Sequence, residues 1–114
     1  MEKLEQYRNY IQKALLEHAQ KGSSTNREDG VETQIIFDTE HDHYQLMYVG
    51  WHNKRRVYGA VLHLDIKDGK IWVQWNGTEE DIASSLVELG VPKQDIVLGF
   101  QAPYKRQFTE FAIG

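Results

Sequence analysis

The sequence predicts an α+β fold: a twisted antiparallel β-sheet, made of a four-strand meander and a possible fifth short strand, packed by an N-terminal helix and a second helix after the meander. Three observations lead there. Apolar side chains recur at helical spacing from Glu2 to about Gln20, strand-length runs occupy the middle of the chain, and only short turns join those runs. Short turns force antiparallel pairing, because a parallel pair needs a crossover of roughly a dozen residues or more.

In the first segment Leu4, Tyr7, Ile11, Ala14, Leu15 and His18 fall three or four apart on one helical face, with charge on the other. Gly22-Ser23-Ser24-Thr25-Asn26 is expected to end the helix, and Arg27 to Gly30 to continue a polar, flexible connection. From Val31 the period becomes two. Val31, Thr33, Ile35 and Phe37 face one way and Glu32, Gln34 and Asp38 the other, as in a half-buried strand. Asp38 to His43 has no apolar residue and turns the chain into a second strand, Tyr44 to Trp51, after which His52-Asn53-Lys54 is the next turn.

The third and fourth strands flank Asp68-Gly69, a dipeptide suited to a two-residue type I′ hairpin because both positions accept positive φ. Val57, Val61 and His63 alternate with Tyr58, Ala60, Leu62, Leu64 and Ile66, and Ile71, Val73 and Trp75 with Trp72 and Gln74. Both faces carry bulk, so this hairpin is expected at the middle of the sheet, covered on both sides by helices or a partner chain. Thr78 is the expected N-cap of the second helix, with Glu79, Glu80 and Asp81 in a first turn whose free N–H groups favour negative charge. Ile82, Ala83, Leu86, Val87 and Leu89 form its buried stripe, and Gly90 with Pro92 stops it. Ile96-Val97-Leu98 reads as a fifth strand or an extended segment. The tail keeps Phe100, Tyr104, Phe108, Phe111 and Ile113, too apolar for a disordered end, and is expected to dock on its own sheet or on a neighbouring subunit.

Residues 1–114 suffice for a single domain and not for two. Charged residues at 26%, hydrophobic ones at 40% and a mean hydropathy of -0.61 are ordinary for a soluble globular chain. No apolar run approaches the ~20 residues that cross a bilayer, and the charged start lacks the apolar stretch of a signal peptide, so a cytoplasmic location without a membrane partner is expected. The absence of cysteine removes disulfides, thiolate chemistry and cysteine-ligated zinc. A formal net charge of -4 disfavours a direct grip on duplex DNA by this chain alone. Sheet faces apolar on both sides exceed what two helices cover, which predicts a homo-oligomer.

Spacing nominates no catalytic residue, cofactor site or metal centre. The cluster richest in ligands is Asp38, His41, Asp42 and His43, with Glu40 and His52 near it in sequence. His41 and His43 would share a face of an extended chain and, with a carboxylate, could hold a divalent ion. The competing and weightier reading is a polar turn whose Asp and His side chains hydrogen-bond their own backbone. No serine lies in a Gly-x-Ser-x-Gly elbow. His63, inside the most buried strand, is expected to be held by a structural hydrogen bond, and His18 to sit near a helix C-terminus where the dipole favours it. Lys54-Arg55-Arg56 with Tyr58, and Tyr104 with Lys105-Arg106, are candidate nucleic-acid or partner contacts if the two clusters converge; apart, they are solvated strand-end charges.

Ordered blocks then add a resemblance. Asp38-Thr39-Glu40, Asp42-His43-Tyr44-Gln45-Leu46, Val49-Gly50-Trp51, Arg55-Arg56-Val57-Tyr58-Gly59, the run from His63 to Trp72, Gly90-Val91-Pro92, Asp95 to Phe100 and the ending Thr109-Glu110-Phe111-Ala112 together resemble the XisI family, small cyanobacterial proteins named as controlling factors for excision of the fdxN element. The resemblance covers essentially the whole chain. It implies a non-catalytic accessory factor for programmed excision of a DNA element, with strand cutting left to a separate site-specific recombinase and an XisH-like protein as companion. It carries over no catalytic residues. His41 stands where a basic arginine is expected in this family's turn, which weakens a phosphate contact there. Beside that reading stand a direct DNA-binding regulator using the basic clusters, and a metal-dependent nuclease using His41, Asp42 and His43.

Overall fold

The structure, a computed structural model, describes residues 2–28 and 30–114, the stretch 21–28 by its backbone. Helix α1 spans Lys3–Glu28, followed by strands β1 Val31–Asp38, β2 His43–His52, β3 Arg55–Lys67 and β4 Lys70–Asn76. Helix α2 is Ile82–Leu89, a single 3-10 turn covers Lys93–Asp95, β5 is Ile96–Leu98 and the short helix α3 is Pro103–Arg106. The strands lie in the order β1-β2-β3-β4-β5.

The first four strands form the antiparallel meander that their short turns require. Positive φ closes each turn: Asp42 at 59°, Asn53 and Lys54 at 48° and 69°, Asp68 and Gly69 at 54° and 77°. Two consecutive positive values are the backbone of a type I′ turn, whose twist matches the strands it joins. The fifth strand departs from the antiparallel expectation. It pairs parallel with β4, Ile71 opposite Ile96 and Val73 opposite Leu98, because α2 lies between the two and supplies the crossover.

One face of the sheet makes the core. Tyr44 and Leu46 stand beside Leu64 and Leu62, Val73 stands beside Leu64, and all five are at most 1% exposed. Helix α1 lays Tyr7, Ile11, Ala14, Leu15 and Ala19 on that face, and α2 adds Ile82, Ala83 and Leu86. Burying each large aliphatic side chain there contributes about 1.5–3 kcal/mol. The tail docks at the β5 edge, where Ala112 N–H donates to the Ile96 carbonyl at 2.8 Å and pairs beside Val97. Trp72 lies there with the Lys67 ammonium 4.9 Å and the Arg106 guanidinium 5.2 Å from its ring.

Four expectations need correction. The central hairpin is in the middle of the sheet, but within this chain α1 and α2 cover one face of it, and on the other Tyr58 is 70% and Trp75 53% exposed. Helix α1 does not stop at Gly22 but continues through Asn26 to Glu28, since propagation adds a hydrogen bond per residue and weak helix formers other than proline cost at most about 1 kcal/mol each. Residue 29 of the predicted connection lies outside the described residues. His18 is therefore well inside α1, with its Nδ1 3.2 Å from a Glu80 carboxylate oxygen. The N-cap of α2 is Asp81 and not Thr78: Asp81 accepts from Ser84 N–H at 3.1 Å and from the Ser84 hydroxyl at 2.7 Å. Thr78 is held by Asn76, whose side-chain oxygen accepts its N–H at 2.9 Å.

Candidate functional site on the open sheet face

Strand alternation decides which residues leave the core. In β2 these are His43, Gln45, Met47, Val49 and Trp51. Their β3 partners are Asp65, His63, Ala60, Tyr58 and Arg56, a set that changes from odd to even numbers part-way along. The change is a β-bulge: Leu46 faces Leu62 but Met47 faces Ala60, so Val61 is the extra residue, and Val61 and Leu62 are both buried. This is why the sequence of β3 reads as bulky on both faces.

At one end of the open face a polar cluster forms around Asp65. Its Oδ1 accepts from His43 Nδ1 at 2.9 Å and from His63 Nε2 at 2.8 Å, and its Oδ2 accepts from Gln74 Nε2 at 3.1 Å. Gln45 Nε2 lies 3.1 Å from His63 Nδ1. A second bulge, with His63 facing Trp75 and Leu64 facing Val73, leaves Gln74 as the extra residue of β4. Burial pushes the Asp65 carboxyl up, yet the hydrogen bonds from His43, His63 and Gln74 outweigh it and hold the group below its ordinary value. The hydrogen bond and charge of Asp65 raise His43 correspondingly. The donor atoms of His43, His63 and Asp65 all lie within 4.8 Å of one another, so these side chains could hold a metal ion.

The cluster proposed from the sequence does not come together. His41 Nδ1 pairs with Asp38 Oδ2 at 2.8 Å, while Asp38 Oδ1 accepts the backbone N–H of Glu40 and of His41 at 3.0 and 3.1 Å. Those two residues close their own turn. Asp42 instead meets Arg8 of α1 at 2.8 and 3.2 Å and the Tyr44 hydroxyl at 2.9 Å, and His43 goes to Asp65. Adjacent residues at a strand start diverge, and the left-handed backbone of Asp42 sharpens the divergence.

The Arg8–Asp42 pair has a pH signature. The Arg8 hydrogen bonds hold the Asp42 carboxyl below its ordinary range against partial burial. A carboxyl so lowered adds stability that is present above its unfolded value, about 3.9, and is lost as pH falls through the folded one. Asp42→Asn is expected to cost about 1–2 kcal/mol at pH 7, with the wild-type advantage in Tm shrinking as pH drops well below 4. An advantage that stays constant down to pH 2 would remove the ion pair as its cause.

At the other end of the open face, Trp51 and Tyr58 are 58% and 70% exposed, and the Arg56 guanidinium lies 5.5 and 5.8 Å from their ring centroids. Lys54 and Arg55 are exposed at the adjoining turn, whereas Ile36 of β1, 46% exposed, stands opposite Gln45 at the polar-cluster end. The second basic cluster is elsewhere. Lys105 lies 5.9 Å from Tyr104, and Arg106 covers Trp72, which pairs with Asp65, nine residues along β3 from Arg56. At about 3.3 Å per residue the two clusters are some 30 Å apart along the strand.

A family model described as XisI protein matches residues 1–113. The chain belongs to the XisI family. Among solved structures, an XisI-like protein from Anabaena variabilis is 47% identical, with a TM-score of 0.89 over 99% of this chain and 100% of that one. The fdxN element excision controlling factor XisI of the same organism is 37% identical, with a TM-score of 0.85 over 99% of this chain and 100% of that one. None of the curated proteins matches. In this XisI-family chain no helix among the described residues is long and apolar enough to cross a membrane. Sequence reasoning missed Asp65 and Gln74 as members of this polar cluster, although His63 and Asp65, two apart on a strand, share a face away from a bulge.

Proposed function

We propose that this XisI-family chain is a non-catalytic accessory factor in the excision of a DNA element by a separate site-specific recombinase, and that it acts through contacts with an XisH-like protein. The observation that carries the proposal is the open sheet face, where Trp51 and Tyr58 flank Arg56 with neither ring covered. Tryptophan, tyrosine and arginine are the residues that most often dominate a protein interface. A relative described as an excision controlling factor, 37% identical over its whole length, supports the biological setting. The exposed Lys54 and Arg55 beside the patch favour a partner with an acidic rim.

Co-expression with an XisH-like protein followed by size exclusion should give one complex that persists at micromolar concentration. Separate elution of the two proteins under those conditions would overturn the proposal. The same run on the chain alone reports whether it associates with a second copy.

A direct DNA contact is favoured by one specific feature, the stacking of Arg56 between two exposed rings, which could equally receive a base. Binding of that kind should fall steeply with added salt and with Arg55→Glu/Arg56→Glu. Insensitivity to both would eliminate it.

A further inference from the structure

We infer that His43, His63 and Asp65 form a binding site for one divalent transition-metal ion of the zinc class, seated between β2 and β3 on the open face. The inference is independent of the partner and of the excision role. Its basis is that the backbone, not a loop, sets the three ligands. His63 and Asp65 are neighbours on one face of β3, and His43 is the cross-strand partner of Asp65, so the sheet ladder fixes the spacing of all three.

The donor atoms need little adjustment. A tetrahedral centre with bonds of about 2.0–2.2 Å places its donor atoms roughly 3.3–3.6 Å apart. Here Asp65 Oδ1 is 2.9 Å from His43 Nδ1 and 2.8 Å from His63 Nε2, and the largest separation within the group is under 4.8 Å. His43 has a side chain 59% exposed and can swing to close the remaining gap, while Asp65, at 14%, stays anchored. The exposed side leaves room for a water or a partner's side chain as a fourth ligand.

The surrounding groups are those a metal site uses to orient its ligands. Gln74 donates to Asp65 Oδ2 and so turns Oδ1, the oxygen that accepts from both histidines, toward the place the ion would take between them. Gln45 lies against His63 Nδ1, the nitrogen that must carry the proton once Nε2 takes the metal, and rotation of the Gln45 amide offers its oxygen as the acceptor. Neutral imidazoles shift their remaining proton to the nitrogen away from the metal, and any imidazolium releases one proton to solvent. Two imidazoles and one carboxylate favour zinc, cobalt or nickel over magnesium or calcium, which take oxygen ligands.

The test uses untagged full-length protein stripped with a chelator. Titration with zinc by calorimetry, and with cobalt followed by its visible absorption, should both saturate at one ion per chain, with the cobalt spectrum showing nitrogen ligation and low coordination number. His43→Ala alters an exposed side chain and should leave the fold intact while weakening zinc at least tenfold, and His63→Ala should do the same. His41→Ala, in the neighbouring turn, should change nothing. Absent or substoichiometric binding, or equal affinity in wild type and His43→Ala, would overturn the inference and leave Asp65 as the hub of a hydrogen-bond network alone.

Discussion

Gly50→Ala is expected to lower the unfolding free energy by about 2–4 kcal/mol, although it adds one methyl group. Gly50 of β2 stands opposite Val31 of β1, and a Cβ built there would lie 2.2 Å from the Gly30 carbonyl oxygen and 2.8 Å from the Val31 Cα. Both atoms are backbone, so neither can rotate aside. The strands would have to separate, breaking the hydrogen bond from Trp51 N–H to the Gly30 carbonyl at 3.2 Å and freeing the start of the edge strand. Gly59 is the internal control. It lies on the neighbouring strand opposite Tyr48, and an added Cβ meets nothing within 4 Å. Gly59→Ala should therefore be neutral or stabilising by about 0.5–1 kcal/mol, since glycine in a strand costs backbone entropy. Denaturant midpoints of the two variants decide the matter; a Gly50→Ala midpoint equal to that of wild type would refute the close approach of β1 and β2.

That contrast shows what was legible in the sequence and what was not. The hairpin at Asp68-Gly69 and the antiparallel meander were readable, because turn residues and strand runs are local signals and the structure obeys them. The shift of the helix cap from Thr78 to Asp81 was not. Both residue types cap helices well, and the outcome was set by Asn76, which captures Thr78 in a turn and delays the helix until Asp81 can reach Ser84. The end of α1 was misjudged for a related reason: turn-forming residues carry only a weak penalty once a helix is already running, and no proline enforces a stop.

The polar cluster depends on a feature with no local signature. The turn at Asn53-Lys54 pairs His52 with Arg55, and counting back from that pair along an unbroken ladder would place Leu64 opposite His43. Asp65 would then project with the core side chains of its strand. The single bulge at Val61 moves the register by one residue, brings Asp65 opposite His43 and His63 opposite Gln45, and returns Leu62 and Leu64 to the core. One inserted residue thus satisfies the hydrophobic core and assembles the site together. Each residue of the cluster is visible in the sequence, but their meeting is a consequence of register, and register was invisible.

Trp51→Ala combined with Tyr58→Ala is expected to weaken the complex with an XisH-like protein by at least about a hundredfold. Each ring, if it is an interface anchor, is worth roughly 2 kcal/mol or more, and about 1.4 kcal/mol is a factor of ten. The fold should survive, because both side chains stand more than half exposed on the face away from the helices and the core cluster includes neither. Arg56→Ala should show an intermediate loss, since its guanidinium rests against both rings and its removal frees them to move. Phe108→Ala supplies the comparison: it is 81% exposed but belongs to the tail that follows α3, so its loss should leave affinity unchanged. The pattern matters more than any single value. Equal loss from Phe108→Ala and from the Trp51/Tyr58 pair would mean that exposed aromatic area in general, and not this end of the sheet, drives association. Retention of wild-type affinity by the double variant would assign the docking surface to another part of the molecule.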